Sequence, residues 1–345
     1  MNMKLQKGTK REKKRETKRG PAVLIPLAFL LSISLCTSSA WAAEQEVRIL
    51  YLKTQSFSYL YPKVDTDYMA AVYGKGEAVR VYGKKGNYYI MKHLGKTVYL
   101  PEKVVTAEKT RWVYFAKPVF RCLRLKEGSQ LYLEPAKSSQ PVVCRERQVY
   151  TLGETRNWYK VFVAGQVAFV KKNSRDIEAV AESEFPEILI DEFFREEKET
   201  VKNRVRYIYS LLPEKARKTM PADLKIHVVF RLPKRDYENM GAGAFASSDG
   251  HIWLKECGEQ EPLYSVEMCL LHELGHMIQY SAYESRNGKL ETAASLLEQD
   301  SLYMRSYYRK DREYLAETFE YYVKNPHWLE RKAPATFAYF SSILL

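Results

Sequence analysis

An internal repeat with constant spacing occupies much of the first half of this 345-residue chain. Three pairs of blocks share an offset of 70 residues: Gly83 with Gly153, residues 87–89 with 157–159, and residues 95–100 with 165–170. A constant offset over separate blocks indicates duplication. Residues 46–173 are therefore predicted to fold as two similar units.

Both units have the pattern of short strands. Residues 78–82, Ala-Val-Arg-Val-Tyr, and residues 159–163, Tyr-Lys-Val-Phe-Val, alternate and are followed by turns that contain glycine. This pattern predicts small antiparallel barrels. Upstream, Leu60-Tyr61 matches Leu131-Tyr132 at an offset of 71, which predicts that one residue was gained or lost in a loop.

The two units resemble bacterial SH3-like domains, in which a segment such as Gly-Asn-Tyr-Tyr-Ile or Arg-Asn-Trp-Tyr-Lys-Val precedes a glycine hairpin and an apolar strand. The resemblance implies SH3-like barrels at residues 44–108 and 109–175. One function that the resemblance implies for such barrels in an exported protein is binding of cell-wall material or peptide stems. The alternative is that they are spacers or walls that guide a substrate, with their tyrosines packed on sheet faces.

The start of the chain has the features of a secretory signal peptide. Residues 1–20 carry nine Lys or Arg and two Glu, so they account for seven of the net +13 charges and leave +6 for the rest. An apolar run and an Ala-x-Ala end follow, which predicts a signal peptide at residues 1–43 and an uncleaved anchor as the weaker alternative. The positive charge is therefore interpreted as part of a targeting signal and not as a nucleic-acid-binding surface. We expect the mature protein to be secreted and to have no membrane contact after cleavage.

Four cysteines lie beyond the signal peptide. In an oxidising compartment they can pair as Cys122 with Cys144 and Cys257 with Cys269, although three connectivities are open and buried thiols are the alternative. None has the Cys-x-x-Cys spacing of a zinc site. We expect Cys257 and Cys269 to form a disulfide.

The main chemical motif is residues 271–277, Leu-His-Glu-Leu-Gly-His-Met, within a helical apolar pattern. On a helix, His272 and His276 project from one face, so both imidazoles can bind one metal ion. Glu273 can reach a metal-bound water without being a ligand. This spacing is typical of zinc peptidases, in which zinc acidifies water and the glutamate takes the proton. The alternative is a surface helix with two hydrogen-bonded histidines.

A third metal ligand is expected from the helix predicted around residues 311–322. Glu313 and Glu317 are four residues apart and share one face. One carboxylate can bind zinc while the other accepts the N–H of a ligating histidine. A solvated acidic face is the alternative.

The region around these motifs reads as a catalytic domain of mixed elements. Helical spacing predicts a helix over residues 182–212, and residues 224–230 and the pair 244–247 and 251–254 are predicted strands, the pair forming a hairpin. Gly243, Ala244 and Phe245 are the expected edge strand for a peptide substrate, with simple loop glycines as the alternative. His227 and His251 are expected to be structural.

Three blocks together resemble the catalytic domain of anthrax lethal factor and the secreted Pro-Pro endopeptidases, within the gluzincins: residues 272–276, 313–319 and 332–337. The likeness covers about residues 183–345. It implies that Glu313 is the third ligand and that Glu317 accepts the N–H of a ligating histidine. It also implies that a tyrosine stabilises the oxyanion. The position that should hold this tyrosine is Ser306, so the prediction moves to Tyr307, with Tyr308 as the alternative.

The sequence therefore predicts an α+β protein: two small SH3-like β-barrels followed by a mainly helical zincin-type domain at residues 176–345 with a small mixed sheet. The predicted function is a secreted zinc endopeptidase with one Zn²⁺ held by His272, His276 and Glu313, acting on a protein or peptide substrate. The predicted catalytic residues are Glu273 and Tyr307. The alternative is a cell-wall-binding or adhesion protein whose peptidase-like domain is inactive.

Overall fold

The computed structural model describes residues 47–63, 68–181, 185–233, 242–257, 265–283, 289–300 and 311–344. The chain divides into two compact units, residues 1–45 and 46–345. The predicted signal peptide lies outside the described residues. Among those residues, no helix combines the length and the hydrophobicity needed to cross a bilayer. The predicted α+β class is confirmed, since the described part of the second unit contains four sheets and seven α-helices.

The first repeat forms two sheets with the strand orders β4-β1-β8 and β3-β2-β7-β6-β5. Its strands are β1 (Arg48–Leu52), β2 (Ser56–Tyr59), β3 (Met69–Tyr73), β4 (Ala78–Val81), β5 (Gly83–Lys85), β6 (Tyr88–His93), β7 (Lys96–Pro101) and β8 (Val105–Thr106). A 3-10 turn at Glu102–Val104 joins the last two.

The second repeat forms one sheet with the order β11-β10-β14-β13-β12-β9-β15. Its strands are β9 (Cys122–Leu125), β10 (Gln130–Tyr132), β11 (Pro141–Val143), β12 (Gln148–Glu154), β13 (Trp158–Val163), β14 (Gln166–Lys171) and β15 (Ile177–Ala181). Strand β12 takes the place of both β4 and β5. Read with that substitution, the two repeats have the same strand order.

The pairing register supports the duplication and corrects its alignment. Leu50 pairs with Val79 in the first repeat, and Leu123 pairs with Val149 in the second. The first members of these pairs are 73 residues apart and the second members 70, so the second repeat is three residues shorter between them. Tyr59 and Tyr132 pair with the equivalent residues Tyr99 and Phe169 and are likewise 73 residues apart. The predicted offset of 71 at Leu60 and Leu131 is therefore wrong.

The central hairpins of the two repeats turn in the same way. Leu94 and Gly95 have φ of 46° and 81°, and Ala164 and Gly165 have φ of 49° and 77°. Two consecutive residues with positive φ match the twist of a two-residue hairpin, and glycine takes this conformation without strain.

The third region is built on a four-stranded sheet with the order β16-β17-β19-β18. Its strands are β16 (Glu187–Ile190), β17 (Lys225–Val229), β18 (Ala244–Ser247) and β19 (His251–Lys255). Strand β16 is parallel to β17, β17 is parallel to β19, and β18 is antiparallel to β19. The predicted hairpin is confirmed, with Gly250 at φ 86° in its turn.

Seven helices accompany this sheet in the described residues. They are α1 (Lys198–Tyr209), α2 (Glu214–Lys218), α3 (Val266–Tyr283), α4 (Lys289–Asp300), α5 (Asp311–Lys324), α6 (Pro326–Lys332) and α7 (Pro334–Leu344). The helix predicted over residues 182–212 is wrong in its first part, where β16 and a 3-10 segment at Glu192–Glu197 precede α1. The run Ile-Leu-Ile at 188–190 favours a strand, because its branched side chains pack well on a pleated surface.

One hydrophobic core is shared by the repeats and the helical region. It contains Leu100 from the first repeat, Phe169 from the second and Leu271 from α3, all fully buried. A smaller core lies on the other face of the second repeat. The predicted domain boundaries stay a prediction, but the shared core argues that residues 46–173 cannot be removed without exposing apolar side chains of the helical region.

No disulfide joins the four cysteines of the described residues, so the predicted Cys257–Cys269 bond is wrong in this structure. Cys269 lies on α3, where burial first and then the charges of Glu273 and Glu320 raise its pKa. Cys122 belongs to the large core and Cys144 to the smaller one, so this pair does not meet either.

Candidate metal centre

Helices α3 and α5 pack side by side and carry the two halves of the candidate site. Gly275 lies at their contact, where an added Cβ would fall 2.8 Å from the Cα of Ala316. Only glycine fits at this distance, so Gly275 sets how closely the two helices approach. The residue stands between His272 and His276 in the motif, and it therefore brings both histidines within reach of α5.

Three side chains converge at this contact. The Nε2 atom of His272 lies 3.1 Å from Oε2 of Glu313, and Nε2 of His276 lies 3.7 Å from the same oxygen. All three ligand atoms lie within 4.8 Å of one another. A tetrahedral zinc ion with bonds of about 2.0–2.1 Å separates its ligands by roughly 3.4 Å. The observed spacings bracket that value, and two imidazole nitrogens with one carboxylate oxygen are a donor set that zinc accepts.

The far nitrogens of both histidines are also held. Nδ1 of His272 lies 3.3 Å from Oε2 of Glu317, and Nδ1 of His276 lies 3.0 Å from Oε1 of Gln279. An acceptor at Nδ1 places the ring proton there and leaves Nε2 as the metal-binding atom. Glu317 thus contacts the Nδ1 side of His272 and does not lie between the two histidines. Gln279 was missed in the sequence, although it lies one turn beyond His276 on the same helix.

Electrostatics at the site follow from burial and these contacts. Burial alone lowers the pKa of His272, but hydrogen bonds to Glu313 and Glu317 outweigh it and raise that pKa well above its ordinary value. Burial likewise raises the pKa of Glu313, and its contacts with the two histidines lower it far more. For both groups the contacts between carboxylate and imidazole, and not burial, decide the direction of the pKa shift.

Glu273 is buried and only partly bonded. Its Oε2 atom has no hydrogen-bond partner among the described residues, although the residue is only 6% exposed. Burial raises the pKa of Glu273, while the neighbouring histidines lower it to a smaller extent. An orphaned buried carboxylate oxygen costs free energy unless something binds it. Here it is an acceptor ready for a water or a substrate group.

A second acidic group behind His272 has a different character. Ligand atoms of His272, Glu317 and Glu320 also lie within 4.8 Å of one another. Glu320, however, contacts the ammonium group of Lys324, which is itself buried. A fixed cation beside Glu320 disfavours a metal ion there, so this group is better explained as a hydrogen-bonded support for His272.

The predicted substrate strand forms one edge of the four-stranded sheet, beside α3. Strand β18 pairs with β19 alone among the described strands, and the Tyr280 hydroxyl of α3 lies 3.4 Å from the carbonyl oxygen of Ala246. Gly243 and Ala244 are half-buried, whereas Phe245 is buried and stacks on Trp253 at 4.6 Å. The backbone of this strand, and not the side chain of Phe245, is therefore what an extended peptide can contact.

The block at residues 332–337 has a structural role next to the site. Thr336 is fully buried, and its hydroxyl bonds Tyr314 at 2.8 Å and Asp300 at 2.5 Å. The Asp300 carboxylate also accepts the N–H groups of Ala335 and Thr336 at 2.8 Å, which caps the start of α7. Because Tyr314 follows Glu313 directly, this network fixes α5 beside the candidate ligand. Tyr307 and Tyr308 lie outside the described residues, so the predicted oxyanion tyrosine stays a prediction.

Part of this region is similar to a known protein family. Residues 252–343 match the family described as anthrax toxin lethal factor, N- and C-terminal domain. The match begins in β19 and takes in α3 and α5, so the resemblance is confirmed for this part of the chain. No curated protein matches the chain.

Solved structures with a likeness to the chain are NlpC/P60-type proteins. NlpC2 from Trichomonas vaginalis is 12% identical, and the match covers 39% of this chain and 49% of that protein, with a TM-score of 0.17. NlpC1 from the same organism is 13% identical, and the match covers 41% of this chain and 49% of that protein, with a TM-score of 0.17. An NlpC/P60 family protein from Bacillus cereus ATCC 10987 is 17% identical, with 39% and 57% covered and a TM-score of 0.20. The chain thus spans about half the length of these proteins.

Proposed function

We propose that this chain is an exported zinc endopeptidase. The observation that carries the proposal is the convergence of His272, His276 and Glu313 on one point, next to the unpartnered buried oxygen of Glu273. The likeness of residues 252–343 to anthrax lethal factor supports the same chemistry. Zinc bound by these three residues would acidify water and polarise a peptide carbonyl.

Each residue of the chain has a distinct task in this proposal. His272 and His276 offer Nε2 while Glu317 and Gln279 hold their Nδ1 protons in place. Oε2 of Glu273 takes a proton from the attacking water and then gives it to the leaving nitrogen. Tyr307 would add a hydrogen bond to the developing oxyanion.

The substrate class proposed is an extended peptide lying along β18. An edge strand holds a peptide through main-chain hydrogen bonds and selects weakly among side chains. The half-buried Gly243 and Ala244 allow the closest approach of a second backbone. The two β repeats are proposed to be SH3-like domains that hold the secreted enzyme at the cell wall.

Three glutamine variants test this assignment, with zinc content and peptide hydrolysis measured on the protein from residue 44 onward. Glu273→Gln should keep about one zinc and lose hydrolysis by orders of magnitude, since an amide cannot accept the proton. Glu313→Gln should lose the metal, and Glu317→Gln should weaken zinc binding by about 10- to 100-fold. A site emptied by Glu317→Gln but loaded in Glu313→Gln would reverse the two roles.

The alternative is a cell-wall-binding or adhesion protein with an inactive peptidase-like domain. It predicts that the purified wild type binds cell walls, contains no zinc and cleaves no peptide. Wild-type protein that binds zinc and hydrolyses a peptide mixture, while Glu273→Gln does not hydrolyse it, excludes this alternative.

A further inference from the structure

A cavity separate from the candidate metal centre lies between the second repeat, β16 and α1. It has a volume of about 470 Å³, within the range of about 300–1,000 Å³ that ligand sites occupy. Residues 118–121 form one wall, Phe185 and Ile188 form another, and α1 closes the third side. None of the candidate metal ligands lines it.

Positive charge in this cavity is not balanced. Arg121, Lys202 and Arg206 line it, and no acidic residue does. Arg206 bonds Glu199, whose side chain is 69% exposed, at 2.7 Å. Neither Arg121 nor Lys202 has an acidic partner in the described part of the chain. The fully buried cations of the described residues are all paired; Lys160 with Glu77 is one example. Two half-buried cations without partners favour an anionic ligand.

The apolar wall narrows the class of ligand. Phe185 is half-buried and packs edge-on against Tyr150 at 4.8 Å, so its ring is fixed. Strand β16 is the outer strand of its sheet and pairs only with β17 among the described strands. An extended peptide can therefore add its backbone to the free edge of β16 and place an apolar side chain against Phe185. A small inorganic anion would use neither feature.

We propose that this cavity binds an extended peptide through a carboxylate, held by Arg121, Lys202 and Arg206. The carboxylate comes either from the end of a peptide chain or from an acidic side chain. The site goes beyond the proposed peptidase activity and does not depend on zinc.

The test uses fluorescence anisotropy on the protein from residue 44 onward in the Glu273→Gln background, with a chelator present, so that neither hydrolysis nor metal contributes. The probe is a fluorescein-labelled pentapeptide of alternating valine and threonine. It is made with a free C-terminal carboxylate, with a C-terminal amide, and as an amide that carries one glutamate. The amide without glutamate should bind at least ten-fold more weakly than the better acidic form, and the ranking of the two acidic forms identifies the source of the carboxylate.

Charge-removing variants locate the binding. Arg121→Gln and Lys202→Gln should each weaken binding by about 5- to 10-fold, as expected for loss of one charge-assisted contact at a half-buried position. The matched control Lys215→Gln removes an exposed cation of α2 that does not line the cavity, and it should leave binding unchanged. The proposal is wrong if the neutral amide binds equally well, if phosphate competes as well as unlabelled peptide, or if neither Arg121→Gln nor Lys202→Gln differs from the control. Loss of zinc-dependent hydrolysis would not affect these results.

Discussion

Replacing Lys96 with methionine should destabilise the whole described fold, although Lys96 belongs to the first repeat and not to the helical region. Its Nζ lies 3.0 Å from Oε1 of Glu256, and the two side chains are 5% and 2% exposed. Arg204 of α1 bonds the other oxygen of Glu256 at 2.6 Å and forms a two-point contact with Glu267 at the start of α3. The four charges sum to zero only while Lys96 is present.

The size of the effect follows from burial. Removing one partner of a buried ion pair costs about 3–5 kcal/mol, because the other charge stays buried without full compensation. Arg204 still bonds Glu256, so we expect a value near the lower end, about 3 kcal/mol. The control is Lys84→Met, which breaks a pair with Glu102 whose side chains are both 45% exposed, and it should cost far less because solvent screens an exposed pair.

Urea unfolding followed by tryptophan fluorescence measures both variants. The double variant Lys96→Met with Glu256→Gln removes a charge of each sign, and it should cost less than the sum of its single changes. The reasoning is refuted if Lys96→Met costs no more than Lys84→Met. The same network leads us to expect that a fragment starting near residue 176 is poorly folded, since it lacks Lys96.

Three further outcomes are expected. Gly275→Ala should destabilise by about 1–3 kcal/mol and weaken zinc binding, although alanine normally favours a helix, because its Cβ would meet the backbone of Ala316; a more stable variant with unchanged zinc affinity would contradict this. Thr336→Val should cost about 1–3 kcal/mol in urea unfolding by leaving Asp300 with an unfilled acceptor, and a neutral effect would show that this network is dispensable. Burial raises the pKa of Glu267, but Arg204 outweighs it and lowers that pKa to about 2 from 4.5; its stabilisation is present above about pH 4.5 and is lost toward pH 2, so the stability gap between wild type and Glu267→Gln should close over that range.

The placement of the candidate metal ligands was predictable because it depends on local periodicity. Four-residue spacing places His272 and His276 on one face of α3, and the same spacing aligns Glu313 with Glu317 on α5. Only the family resemblance indicated that the two helices meet. The closeness of their contact depends on Gly275, whose small size matters only against a particular partner, and nothing in the local pattern identifies Ala316 as that partner.

Other features escaped prediction because they join segments far apart in the chain. The run at residues 188–190 suits a helix or a strand by its apolar content, and its pairing with β17 decides the outcome. Asp300 caps a helix that begins more than thirty residues later. Nothing in the local pattern marked Lys96 as buried, because a lysine is rarely fully buried unless it is paired, and its partner Glu256 lies 160 residues away.

Helix α1 explains why the repeats and the candidate metal centre are energetically linked. On one side, the Tyr207 hydroxyl accepts from the N–H of Val72 in β3 at 2.8 Å and lies 3.2 Å from its carbonyl oxygen. On another side, Arg204 holds Glu267, which lies five residues before His272 on α3. Removing the repeats would leave the buried Tyr207 hydroxyl without these partners, at a cost of about 1–3 kcal/mol. It would also take Lys96 away from Glu256. Arg204 would keep Glu256 and Glu267, but without Lys96 the charges of this cluster at the start of α3 would no longer balance. The repeats therefore act on the candidate metal centre through α1, whether or not they also bind a cell wall.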